Sequence, residues 1–310
     1  MAKDAVITTS APGSLMLLGE HAVLHGHHAL VGAINRRITV QLFQTLEDCV
    51  SIDSNLGKYT SPLSHLADHP SFRFVLQAIR QHQECISTGF RLKIDSEFSA
   101  DIGFGSSAAV TVATHAALMH WIRGVHPQPE ELFFQCLETV HAVQGRGSGA
   151  DLAASVFGGC VAFSTKPEFQ AVEISAPLTA VYCGYKTPTP DVILKVEQLR
   201  AADPENYNRI YAEIDGCVGE AVAMLRRHDL SGFGKILTRN QQLMDQMGVN
   251  TPELQEVVSA LGDDSGIFGA KISGSGLGDC AIGLGTADLT ELNYPVYHLE
   301  ITATGCRCHE

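Results

Sequence analysis

A glycine-rich loop that runs straight into an apolar stretch constrains this chain more than anything else in it: Asp101-Ile-Gly-Phe-Gly-Ser-Ser-Ala-Ala109. Gly103 and Gly105 let backbone approach a bulky anion and tolerate positive φ. Ser106 and Ser107 bring hydroxyls and can cap a helix. The run Ala108–Met119 reads as that helix, and its N-terminal dipole and free N–H groups would face the anion. A nucleotide phosphate is the expected guest. No Lys follows the loop, so the Walker pattern is absent. Gly103-x-Gly105-x-x-Ala108 formally fits the dinucleotide fingerprint, which also wants an acidic residue about 20 residues later at the end of the next strand. Here Val125-His-Pro-Gln-Pro-Glu-Glu131 reads as a loop opening a helix. A NAD(P)-dependent oxidoreductase therefore rests on that fingerprint alone, and a glycine turn that merely packs tightly is the bland alternative.

The 310 residues suffice for one large or two ordinary domains, and an apolar share of 45% with 18% charged residues fits a globule. A net charge of −13 argues against nucleic acid and anionic membrane as partners. ATP stays compatible, because Mg²⁺ and local donors offset phosphate charge. No secretory leader pattern and no long apolar window is present, so a cytoplasmic location is expected. The nine Cys form no paired framework. Cys306-x-Cys308 with one nearby His is weak evidence for zinc, and small buried thiols in a reduced protein are expected.

Val6–Ser10 reads as a strand broken by Ala11-Pro-Gly13, followed by the apolar run Leu15–Leu18 and the polar trio Gly19-Glu20-His21. Alternation predicts strands over Arg37–Phe43 and Phe90–Asp95, the second leading into the glycine loop. Helical spacing covers Glu130–Val143, and Gly158–Phe163 turns into another strand. Pro167 marks the expected seam, giving domains 1–167 and 168–310. Beyond it come a strand at Ala180–Gly184, helices over Asp191–Leu199, Tyr207–Arg227 and Leu230–Met247, a strand–glycine hairpin–strand over Gly269–Leu284, and a last strand at Val296–Thr302. Strands and helices mix without strict alternation, which predicts an α+β fold. In Gly147-Ser-Gly-Ala-Asp151 the carboxylate could face a cleft, or simply cap a helix starting at Leu152. Ser273-Gly-Ser-Gly-Leu-Gly278 adds a second glycine turn.

Three segments, in order, resemble the GHMP kinase family: Ala11–Gly26, Ile102–Ala109 and Lys271–Gly278. Gly19–Gly26 and Asn240–Asn250 are most similar to its mevalonate kinase branch, whereas His141–Gly158 resembles the phosphomevalonate kinase branch at least as well. The resemblance implies a ribosomal protein S5 domain 2-like N-terminal domain and a ferredoxin-like C-terminal domain. It implies ATP on Gly103, Phe104, Gly105, Ser106, Ser107 and Ala108, with Mg²⁺ near Ser107. It makes Asp151 the base that takes the proton of the acceptor hydroxyl, and puts Glu20, His21, Lys186 and Gly276 at the acceptor. The implied acceptor is a small hydroxylated acid, mevalonate or phosphomevalonate, with homoserine or a sugar as alternatives. A homodimer is left open.

Two positions depart from the family. Ser14 stands where mevalonate kinases carry a Lys that keeps the base ionised, so Ser14 can donate a hydrogen bond but brings no charge. Arg146 or Lys186 is expected to supply a cation from another direction. The family's metal-binding Glu corresponds to Val140, and Glu138 lies two residues earlier, about 200° around a helix. Glu138 reaches a metal only with an altered helix end. The two departures motivate a rival of another class, a silent nucleotide or metabolite sensor.

Overall fold

The computed structural model describes residues 7–166 and 168–309. In chain order its elements are β1 (Ile7–Leu18), β2 (Ala29–Gln44), β3 (Cys49–Ser54), β4 (Gly57–Pro62), α1 (Arg73–His82), β5 (Phe90–Ser96), α2 (Ser106–Arg123), α3 (Pro129–Gln144), α4 (Ala150–Phe157), β6 (Cys160–Ser164), β7 (Glu168–Val172), β8 (Pro177–Tyr182), α5 (Thr189–Ala202), α6 (Pro204–Arg226), α7 (Leu230–Met247), α8 (Pro252–Asp263), β9 (Ile267–Ser273), β10 (Cys280–Gly285), β11 (Val296–Glu300) and β12 (Arg307–His309). The mixture is α+β, as the lack of βα alternation predicts.

Eight strands form the first sheet, ordered β12-β1-β2-β5-β3-β4 with β6 and β7 extending from β2, and four form the second, ordered β11-β8-β10-β9. One apolar core lies between the first sheet and α1–α4, built from residues such as Val31, Val40, Leu92, Val112 and Phe133. The other gathers α5–α8 and the second sheet and takes in Leu15, Leu17, Leu18 and Leu30 from β1 and β2. The middle of β1 is thus buried on both faces, which is why Leu15–Leu18 reads as a continuous apolar run rather than an alternating one.

Three expectations need correction. Ala11-Pro-Gly13 does not break the first strand: β1 runs through it and pairs with β2 from Ile7 to Leu18, with a register shift between Pro12 and Ser14. A bulge tolerates proline where a regular ladder would lose a donor. Val6, the first residue of the expected strand, lies outside the described residues. The seam set at 167/168 falls inside a hairpin, because β7 pairs with β6 along Cys160–Ser164 and Val172–Glu168. Phe169 holds that hairpin, with ring centroids 4.9 Å from Phe133 and 4.5 Å from Phe157. Nor is β11 the last strand, since β12 returns to the first sheet and pairs with Thr8–Ser10 of β1. No helix among the described residues is long and apolar enough to cross a membrane.

Candidate active site

The glycine loop sits between the end of β5 and α2, and it is built as a cradle. Gly105 caps α2 with φ +65°, a left-handed conformation, and no side chain caps the helix. The N–H groups of the first turn therefore keep their donors for an outside anion. A Cβ on Gly105 would stand 2.0 Å from Ser14 Oγ, so both conformation and space demand glycine there. The Phe104 ring is fully buried beside Phe98 and Tyr297, leaving only its backbone to the loop. Its carbonyl accepts the Ser14 N–H at 3.0 Å. Ser106 and Ser107 open α2 half-buried, and Ala108 is buried behind them.

Strand β1 brings Ser14 to the loop from one side, and α4 brings Asp151 from another. The helix begins at Ala150, two residues earlier than expected, so Asp151 lies inside its first turn and not at its cap. Ser14 Oγ donates to Asp151 Oδ1 at 2.7 Å. The carboxyl opens onto the cleft yet is crowded by protein on its other sides. That crowding raises its pKa above the ordinary carboxylate value, while the Ser14 hydroxyl and the Lys186 charge pull it back. Of the two cations expected to stand in for the missing first-segment lysine, Lys186 is the one whose charge lowers the Asp151 pKa. Arg146 is exposed.

Lys186 is itself held. Its Nζ lies 3.2 Å from Oδ2 of Asp279, in the turn between β9 and β10. The other oxygen, Oδ1, is buried with no hydrogen-bond partner among the described residues. Burial raises the Asp279 carboxyl, and Lys186 opposes that. The carboxylate packs on the glycine loop so closely that a Cβ on Gly103 would stand 2.3 Å from Oδ1. Asp279 escaped the sequence reading; its only signal is an acidic residue directly after the second glycine turn.

Other expected acceptor residues hold the walls together instead. Glu20 is 2% exposed, and its carboxylate accepts from the buried ammonium of Lys271 on β9. Burial raises the Glu20 carboxyl and lowers Lys271, each opposed by its partner. His21, at φ 57° and 6% exposed, donates from Nε2 to the Ser275 carbonyl at 2.8 Å. The pair thus locks the Gly19-Glu-His segment onto the second glycine turn rather than facing the cleft. Gly276 packs its backbone on Val249, where a Cβ would stand 2.6 Å from the carbonyl oxygen. Glu138 is exposed on α3, whereas Val140 turns inward beneath Gly147. An altered helix end, the condition for Glu138 to reach a metal, does not occur: α3 continues to Gln144.

Beside the loop a cavity of ≈ 510 Å³ opens between β2, β5 and α2, lined by Ile38, Phe72, Val75, Ile94, Phe98 and the hydroxyl-bearing Ser106 among others. An apolar slot ending at a phosphate cradle suits a nucleoside.

Residues 73–159 match the family description "GHMP kinases N terminal domain" and residues 221–291 match "GHMP kinases C terminal". Residues 2–42 match a "Galactokinase galactose-binding signature". The chain is 37% identical over 277 residues to a mevalonate kinase of Archaeoglobus fulgidus, covering 89% of this chain and 91% of that one. It is 29% identical over 279 residues to a mevalonate kinase of Methanothermobacter thermautotrophicus, covering 89% of each. The crystal structure of the Methanococcus jannaschii mevalonate kinase superposes with a TM-score of 0.83 over 95% of this chain and 98% of that one, at 24% identity, a likeness of fold. With both family domains matched in order and identity sustained along nearly its whole length, the chain belongs to the GHMP kinase family.

Proposed function

We propose that this protein is a cytoplasmic mevalonate kinase that transfers the γ-phosphoryl group of ATP to the hydroxyl of mevalonate. The observation that carries the reading is Asp151, a carboxylate opening onto the cleft, hydrogen-bonded to Ser14 and influenced by Lys186 beside an uncapped glycine loop. The identity shared with mevalonate kinases supports the acceptor.

Phosphoryl transfer asks the protein to hold the phosphates, spread their charge and align the acceptor oxygen. The loop N–H groups and the hydroxyls of Ser106 and Ser107 bind the phosphates, with the base in the apolar slot. Asp151 takes the proton as the acceptor oxygen bonds to the γ-phosphorus and the bond to the β-phosphate oxygen breaks, releasing ADP. Such a base contributes roughly 10²–10⁴-fold. Lys186 favours the charged form of Asp151 and offsets phosphate charge. The family's metal glutamate is replaced by buried Val140, but the orphan Asp279 oxygen and the Ser107 hydroxyl are oxygen donors of the kind Mg²⁺ takes. Mg²⁺ held there with ATP would supply charge neutralisation for the phosphates.

The galactokinase signature over residues 2–42 favours a second reading, a sugar acceptor. Glu20, within that segment, is spent on Lys271 and closed off from solvent, which weighs against it. Coupled ADP release over mevalonate, phosphomevalonate, homoserine, galactose and heptose phosphates decides. Turnover with mevalonate, lost in Asp151→Asn while ATP binding persists, is expected. Nucleotide binding without turnover on any acceptor would leave a sensor, and preference for another acceptor would overturn the mevalonate reading.

A further inference from the structure

Far from the cleft, three soft or borderline ligands converge where the chain's last strand crosses the end of the phosphate-loop helix. His120 lies in the final turn of α2, and Gly124 closes that helix in the left-handed conformation, donating its N–H to the His120 carbonyl at 2.7 Å. The reversal carries His126 back over His120, with ring centroids 4.4 Å apart. Cys308 comes from β12, opposite Thr9 of β1. One ligand atom from each of His120, His126 and Cys308 lies within 4.8 Å of the other two. His120 Nδ1 is buried and makes no hydrogen bond among the described residues, an uncommon state for a buried ring nitrogen.

We propose that His120, His126 and Cys308 bind one zinc-type divalent ion, with water in the fourth position, as a staple of the C-terminal strand. Two imidazoles and a thiolate suit Zn²⁺ and exclude Mg²⁺, which takes oxygen. Binding transfers the Cys308 thiol proton to solvent and gives the His120 nitrogen a partner. Small inward movements of the exposed His126 loop bring the three donors to bonding distance. The ion is structural. Fourteen residues of α2 separate His120 from Ser106, about 21 Å along the axis, so it takes no part in phosphoryl transfer. Its service is to fasten β12, whose ladder among the described residues is with β1 alone, to the distal end of the helix that carries the phosphate loop.

The test uses full-length protein stripped with a chelator and titrated with Co²⁺, then with Zn²⁺ in competition. The expected result is one ion per chain, with tetrahedral cobalt absorption, a thiolate charge-transfer band and a rise in Tm with Zn²⁺. Losing a ligand costs at least what losing a ligand's supporting partner does, so Cys308→Ser abolishes the thiolate band and His126→Ala weakens binding by more than about tenfold. His126 lies in an exposed loop, so its variant keeps the fold and its far-ultraviolet dichroism. Cys306→Ser retains the full signal. Equal metal binding in wild type, Cys308→Ser and His126→Ala, or a thiolate band lost only with Cys306→Ser, would overturn the proposal.

Discussion

Replacing Ser14 by Ala removes the hydrogen bond that β1 offers Asp151, and the consequence is a shift in pH dependence rather than a uniform loss. Ser14 Oγ donates to Asp151 Oδ1 at 2.7 Å, and Ser14 is wholly buried, so water does not enter easily from its side. A hydrogen bond to a charged group is worth about 1.5–3 kcal/mol, and 1.36 kcal/mol equals one pKa unit. The carboxyl also meets cleft water, which replaces part of the lost bond, so the lower end applies: about one unit upward. Asp151 acts ionised, and removing a group that favours its charge raises its pKa. The acid limb of kcat/KM, which reports the free enzyme, therefore moves about one unit toward higher pH, with roughly a tenfold loss below the limb and little loss above it. Lys186→Met moves the limb the same way, since its charge acts on the same carboxyl. Initial rates between pH 5 and 9 at varied acceptor concentration give the answer. If both variants lose rate equally at every pH, with the limb fixed, neither Ser14 nor Lys186 tunes Asp151 and the assignment of the displaced cation fails.

Three further outcomes follow from the geometry. Gly105→Ala forces a Cβ to within 2.0 Å of Ser14 Oγ at φ +65°, so ATP affinity measured by calorimetry falls by more than about tenfold while Tm drops only modestly. Glu20→Gln leaves the buried Lys271 ammonium without its counter-charge and costs about 3–5 kcal/mol in urea unfolding, whereas Glu20→Gln with Lys271→Met recovers most of it. His115 is buried, with His82 and Thr139 on its ring nitrogens, and burial lowers its pKa to about 3. A depressed folded pKa gives stability that is present above the unfolded value near 6.5 and lost as pH falls toward 3. Lowering pH from 7 to 5 therefore costs about 2 kcal/mol, a loss that His115→Gln should remove from urea curves at the two pH values.

The parts of the fold that repeat a local pattern were legible. The helix Leu230–Met247, the helix around Glu130–Val143 and the hairpin after Gly269 stand where their periodicity puts them. What escaped was decided by tertiary context. Phe169 joins the first sheet because an aromatic cluster waits for it, and nothing local announces that. Strand β12 has three residues and exists through its pairing with β1. The site divides in the same way. The glycine loop is a local device, so the helix it opens could be read directly from its glycines and serines. Glu20 and His21 could not, because two polar residues after a glycine look like a cleft-facing pair until Lys271 and the Ser275 carbonyl, some 250 residues away, are found to take them. Asp279 escaped for the converse reason: its role comes from Lys186 and Gly103, distant in sequence.

The replacement of a first-segment lysine by Ser14 has a consequence for how the base is controlled. A lysine on β1 would sit on the same sheet as the loop and tune Asp151 whatever the second half of the molecule did. Here the cation comes from Lys186, after β8 of the second sheet, and is tethered to Asp279 at the head of β10. Ser14, Asp151 and Gly103 belong to the first half, Lys186 and Asp279 to the second. The charge that favours ionised Asp151 thus depends on the register between halves, which the Glu20–Lys271 pair and the His21–Ser275 hydrogen bond fix a few residues away. Loosening that register should act on Asp151 without touching it. Glu20→Gln should therefore raise the acid limb of kcat/KM even under conditions where the variant is fully folded. A limb that stays in place while the fold merely weakens would show that the ion pair serves stability alone.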